Sequence, residues 1–212
     1  WLRDAENVDI DNSGWPSRRA DLLQIQAMTG AHSLYMLTAT DGYLVRGTAI
    51  YAVTLSPTYS ETLFLVLTSG AAVSWQEYDN KLYYASATDS GKIVGGVRYP
   101  MGLPTPAAPT CTTIPGAIYA GAYQVGVSYS NSVTGEEGGI SASSNPLLSA
   151  AGGIRIALPG AATGATHVNV YFSTVNGSIP MWIGSYAVGT STVDVVAEPT
   201  RLREGIFKDE EP

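Results

Sequence analysis

The sequence predicts an all-β protein in two parts, an N-terminal antiparallel β-sheet domain and a C-terminal β-sandwich. Three observations carry that expectation. Of 212 residues only 14% are charged, against about 25% in ordinary soluble domains, while Gly (23), Pro (12) and Tyr (13) are abundant. Apolar and polar residues alternate with period two over many short runs, as half-buried strands require. Pairs drawn from Gly, Asn, Asp and Ser separate those runs at hairpin spacing. Helical bundles and disordered chains lack this combination.

The first element is a hairpin. Val8 and Ile10 alternate with Asp9 and Asp11, and Asn12-Ser13-Gly14 supplies residues that tolerate positive φ. Arg19 to Met28, with Leu22, Leu23 and Ile25 clustered, is the one helical candidate. Strand-like runs follow at Ser33 to Leu37, Tyr43 to Val45, Ala49 to Leu55, Thr62 to Leu67, Val73 to Tyr78, Lys81 to Ala85 and Lys92 to Val97. Asp41-Gly42, Ser69-Gly70, Asp79-Asn80 and Ser90-Gly91 lie between them as turns. Asp41-Gly42-Tyr43-Leu44 and Asp79-Asn80-Lys81-Leu82-Tyr83 read as two copies of one hairpin. Their spacing of about 40 residues is that of propeller blades. Roughly 100 residues cannot close a ring of at least four four-stranded blades, so residues 1–99 are expected to form a partial-propeller-like sheet domain.

Pro100, Pro104, Pro106 and Pro109 remove backbone donors and favour an extended path, which predicts a stiff linker over 100–109. Beyond it the alternation is cleaner. Tyr123, Val125, Val127 and Tyr129 point one way; Ile154 to Leu158, Val168 to Phe172, Met181 to Ala187 and Thr192 to Val196 follow. Gly152-Gly153, Pro159-Gly160 and Asn176-Gly177 punctuate them. About seven short strands over 110–200 predict an Ig-like or fibronectin-III-like sandwich, with a charged tail over 201–212.

Composition also bounds partners. The net charge is −7 and no run of Lys or Arg occurs, so no specific nucleic-acid binding is expected. No apolar run reaches the roughly 20 residues of a membrane span, and no signal-peptide pattern opens the chain. The chain begins at Trp1 without a Met, as expected either of a fragment or of a chain whose N-terminus is missing. The single cysteine, Cys111, excludes an internal disulfide and reads as a small strand residue.

Candidate chemistry is sparse, and no catalytic residue or cofactor is expected. Asp9-Ile10-Asp11-Asn12-Ser13-Gly14 matches the first half of a calcium loop, with Asp9, Asp11 and Ser13 as ligands. Ala20 stands where that loop needs a bidentate Glu, so a strand entering a turn is the better reading. Glu136-Glu137 lies between glycines and reads as a solvated loop; adjacent strand residues point to opposite sides and cannot flank one bond. Gly126-Val127-Ser128-Tyr129-Ser130 lacks the final glycine of a nucleophile elbow. His32 and His167 fall on separate predicted domains as structural histidines, without metal-ligand spacing. Ser86-Ala87-Thr88-Asp89-Ser90-Gly91 reads as a hairpin turn. Asn176-Gly177-Ser178 is a formal glycosylation sequon that a type I′ turn explains. Arg18 and Arg19 have Asp4, Glu6, Asp9 and Asp21 nearby in sequence and read as ion-pair or interface residues. Trp75 and Trp182 are aromatic candidates for an interface.

The order of motifs resembles bacteriophage tail or neck structural proteins. An Asn7-Val8-Asp9-Ile10-Asp11 strand, a glycine turn, Arg18-Arg19 and then His32-Ser33-Leu34-Tyr35 is similar to their opening. Lys81-Leu82-Tyr83-Tyr84, Gly91-Lys92-Ile93 and Met101-Gly102-Leu103-Pro104 look like the family's propeller-to-Ig junction. Gly121-Ala122-Tyr123-Gln124-Val125, Gly135-Glu136-Glu137-Gly138 and Val168-Asn169-Val170-Tyr171 are similar to its Ig-like module, with Gly138 and Gly139 where a serine is usual. The resemblance implies a virion component without enzymatic activity, in a tail or neck, with a tail hub or nozzle as one placement. It would act through interfaces with other virion proteins in a homo-oligomer, its propeller either closed by another segment or chain or left open. The alternative is a carbohydrate- or receptor-binding β module of a tail appendage.

Overall fold

The structure is a computed structural model that describes residues 28–199 and the backbone of two short strands at 8–10 and 16–18. Among the described residues there are strands and turns and no helix, so the chain is all-β. Strand β1 (Val8–Ile10) pairs antiparallel with β2 (Pro16–Arg18), Val8 opposite Arg18 and Ile10 opposite Pro16. The turn between them, Arg19 and the helical candidate short of Met28 lie outside the described residues.

The chain divides into two compact units, one of Trp1–Ser74 with Ser86–Asp89, the other of Trp75–Ala85 with Ser90–Pro212. In the first unit β3 (Ala31–Met36), β4 (Asp41–Arg46), β5 (Ala49–Thr54) and β6 (Ser60–Val66) form a four-stranded antiparallel meander in chain order. The central strands hold its apolar residues: Val45, Ile50 and Val53 are buried, and Tyr43 packs its ring 5.1 Å from Phe64. On β4 Arg46 bridges to Glu61 at 2.5 Å and lies over the Tyr51 ring at 4.6 Å. Tyr59 donates to the same carboxylate at 2.8 Å.

Two turns of this unit share one device. Thr38 Oγ1 accepts the Thr40 and Asp41 amides, and Ser86 Oγ accepts those of Thr88 and Asp89. In both, the Asp carboxylate accepts the preceding Thr hydroxyl, at 2.8 Å from Thr40 and 2.6 Å from Thr88. A threonine from another segment completes each: Thr54 Oγ1 donates to Asp41 at 2.8 Å, and Thr68 donates its amide and hydroxyl to Asp89. These donors, the preceding threonine foremost, hold both carboxyls below the usual aspartate range.

The second unit begins with another four-stranded meander, β7 (Ser74–Tyr78), β8 (Lys81–Ala85), β9 (Ser90–Val94) and β10 (Val97–Tyr99), in the order β10-β9-β8-β7. Asp79 and Asn80, both at positive φ (50° and 55°), make the β7–β8 turn. The run Lys92 to Val97 is not one strand: Gly95 and Gly96, at φ 56° and 77°, turn the chain between β9 and β10. Residues 100–109 then follow an irregular path against this unit, with Leu103 packed on the sandwich core and Pro106 and Pro109 buried.

Two further sheets share a single core. One has the order β11-β16-β19, from β11 (Thr110–Ile118), β16 (Gly152–Ala157) and β19 (Thr192–Val195). The other has the order β14-β13-β17-β18, from β13 (Val125–Asn131), β14 (Glu136–Glu137), β17 (His167–Phe172) and β18 (Met181–Ala187). A two-residue pair, β12 (Gly121–Ala122) with β15 (Leu147–Leu148), lies beside them in sequence. Ile154 and Ile156 of one sheet meet Val125, Val127, Val168, Val170 and Phe172 of the other, each within 1% of full burial. Burying one such side chain stabilises by about 1.5–3 kcal/mol. Tyr123 stacks 5.0 Å from Phe172 in the same core. Alternation therefore assigns one face of β13 and β17 to the core and leaves Ser128, Ser130, His167, Asn169 and Tyr171 on the other.

Candidate functional site

That outer face carries a polar groove. Asn131 starts it: its Oδ1 accepts the Val133 and Thr134 amides at 2.8 and 3.0 Å, and its carbonyl accepts the Gly135 amide at 2.9 Å. Gly135 closes this turn at φ 71°. The chain returns as β14, setting Glu136 opposite Asn131 and Glu137 opposite Ser130. Glu136-Glu137 is thus a short paired strand, not the solvated loop that its glycine flanks predict. Both carboxylates are engaged, and on different partners.

Glu136 accepts the Lys92 ammonium and the Thr134 hydroxyl. Glu137 accepts the hydroxyls of Ser128 and Tyr171 with one oxygen. Ser128 is fully buried, so its hydroxyl serves the sheet and has no open side. Burial, reinforced by the Glu137 carboxylate, pushes the Tyr171 phenol well above its ordinary range.

A groove of about 400 Å³ opens beside this pair, between Ser130 of β13, His167 and Asn169 of β17 and Ser185 of β18. Asn169 sits opposite Ser128 on one side and Ser185 on the other. Its Oδ1 accepts from Ser130 Oγ at 3.3 Å, and His167 Nδ1 lies 2.9 Å from Thr166 Oγ1. Trp182, half-buried, faces Tyr171 across β17–β18 on the same side of the sheet. Among the described residues no three His, Cys, Asp or Glu side chains gather as metal ligands. What the groove offers is a set of hydroxyl, amide and carboxylate groups placed to exchange hydrogen bonds.

The residues singled out from sequence fare unevenly. Asp9 is in β1 opposite Ser17, and Arg18 is in β2, while Asp11, Ser13 and Arg19 lie outside the described residues. Trp75 is half-buried on β7 with its ring 6.1 Å from Tyr84. Of the two tryptophan interface candidates, both in the second unit, Trp182 shares a face of the sheet with the groove. Glu136, Glu137 and His167, weighed from the sequence, line the groove, whereas Asn169 and Ser185 escape sequence reasoning as ordinary polar positions in alternating strands. The Asn131-to-Gly135 turn is the one local signal that brings Glu137 back onto that face.

Comparison with family models, with curated proteins and with solved structures found no match for this chain.

Proposed function

We propose that the chain is a non-enzymatic structural component of a phage virion, working through interfaces with further copies of itself and with other virion proteins. The supporting observation is the edge of the first unit's sheet. β6 is the terminal strand of its meander, seven residues long, with Leu63 54% and Val66 65% exposed. On β3, the terminal strand at the other side, Leu34 is 56% exposed. A long edge strand bearing apolar side chains and no lysine or proline is a template for pairing, which a monomer would blunt. Covering such edges with neighbouring copies is how a symmetric assembly uses them. The two meanders in chain order, each of four strands, support a partial-propeller reading, and the two sheets over one core support an Ig-like one. A tail or neck position in the virion rests on the resemblance of the sequence motifs.

The test is the mass of the purified chain by sedimentation velocity, with negative-stain imaging of any large species. A ring or larger oligomer is expected, falling to monomer in Leu63→Lys/Val66→Lys. A monomer at every concentration, unchanged by the double variant, overturns the reading.

A further inference from the structure

We infer that the outer-face groove of β14-β13-β17-β18 binds a neutral hexose or N-acetylhexosamine unit of a glycan. This inference stands apart from the assembly role, which uses the edge strands of the other unit. Its volume of about 400 Å³ falls within the roughly 300–1,000 Å³ of small-molecule sites. Sugar hydroxyls both donate and accept, and the groove matches them with the Ser130 and Ser185 hydroxyls, the Asn169 amide and the His167 imidazole.

Charge selects against acidic ligands. Two carboxylates, Glu136 and Glu137, line the groove. The one cation bonded to them, Lys92, is 1% exposed and already bonded to Glu136 and the Met101 carbonyl. A carboxylate or phosphate entering here would meet negative charge with no Lys or Arg among the groove's described lining residues to answer it. For a neutral polyol the same carboxylates are an asset. Their hydrogen bonds to Thr134, Ser128 and Tyr171 hold them in place, so little side-chain freedom is lost when a sugar hydroxyl donates to a remaining lone pair. Trp182 lies on the same face of the sheet, opposite Tyr171 and outside the groove's lining.

The experiment is a two-dimensional amide NMR titration of the whole chain with methyl glucoside, methyl galactoside, methyl N-acetylglucosaminide and, as the acidic control, methyl sialoside. At least one neutral glycoside is expected to shift Ser130, His167, Asn169 and Ser185 together, with sialoside causing at least tenfold less at equal concentration. Ser185→Arg, at an exposed position opposite Asn169, is expected to abolish those shifts with its melting temperature kept. If that variant does not fold, Ser132→Arg at the exposed groove rim replaces it. Absence of shifts with all neutral glycosides, shifts elsewhere, stronger sialoside binding, or shifts that persist in the folded arginine variant each overturn the assignment.

Discussion

Lys92 and Glu136, 44 residues apart in sequence, form an ion pair whose ammonium is 1% exposed. Lys92 stands on β9 between Tyr83 and Tyr99, and Glu136 on β14 at the groove. The pair thereby fastens the β7–β10 meander to the sandwich within one unit. A lysine in such a place needs a partner, because an unpaired buried ammonium is costly. The Met101 carbonyl, 3.2 Å from Nζ, supplies a second acceptor from the start of the proline-rich stretch.

Breaking this pair should cost unequally by side. Glu136→Ala leaves the ammonium buried with only a carbonyl, and is expected to lose about 3 kcal/mol. Lys92→Met leaves a carboxylate that is 29% exposed and can hydrate, so about 1 kcal/mol is expected. Lys92→Met/Glu136→Met should recover much of the larger loss, as apolar replacements of buried pairs do. Urea unfolding of the three variants measures this. Equal losses from the two single changes would show that burial of Lys92 does not govern the pair.

The paired Thr/Ser-x-Thr-Asp turns make a prediction for acid. Hydrogen bonds from Thr40 and Thr88, then from the other threonines, depress Asp41 and Asp89 in the folded chain. A carboxyl depressed on folding contributes stability that is present above its unfolded value of about 3.9 and is lost as pH falls through the folded value. Asp41→Asn/Asp89→Asn should therefore be less stable than wild type at pH 7 and should change less on acidification below pH 4. Both residues are only half-buried and their carboxyls are screened by solvent, so the effect is small. Denaturant midpoints across that range read it, and parallel curves for wild type and variant would sink the idea.

Much of the fold was legible from local pattern. Lys81 to Ala85 and Met181 to Ala187 match β8 and β18 end to end, because period two and flanking turns coincide there. Asp79-Asn80 was readable as a turn, since both residues accept positive φ. β11 was hidden: Pro115 and Gly116 break its pattern, yet it is a terminal strand where a missing donor is harmless. Its backbone bulges between Ile114 and Ile118, where a Cβ on Gly116 would lie 2.5 Å from the Gly152 carbonyl. The matched Asp turns also went unseen as a pair, since one joins β3 to β4 and the other β8 to β9. The groove was illegible for a different reason. It is assembled by sheet order, which brings Glu137 onto Ser128 and Tyr171 across three strands, and no spacing in the chain encodes that meeting.

Tyr123 predicts the alkaline limit. Its ring is buried at 1% exposure, and its hydroxyl bonds the Tyr119 carbonyl at 2.8 Å with Glu198 Oε1 at 3.2 Å. Burial first, then the Glu198 charge, push the phenol up to about 12. The folded chain thus keeps a proton that the unfolded chain releases near pH 10. Stability from this group is complete below about pH 10 and drains away as pH climbs towards 12. Tyr123→Phe should cost about 1 kcal/mol at neutral pH through the lost hydrogen bond, and should lessen the decline above pH 10. The decline would shrink and not vanish, because burial also raises Tyr59 and Tyr171. Unfolding free energies from pH 8 to 11 decide it: a variant that falls as steeply as wild type would remove Tyr123 from the account.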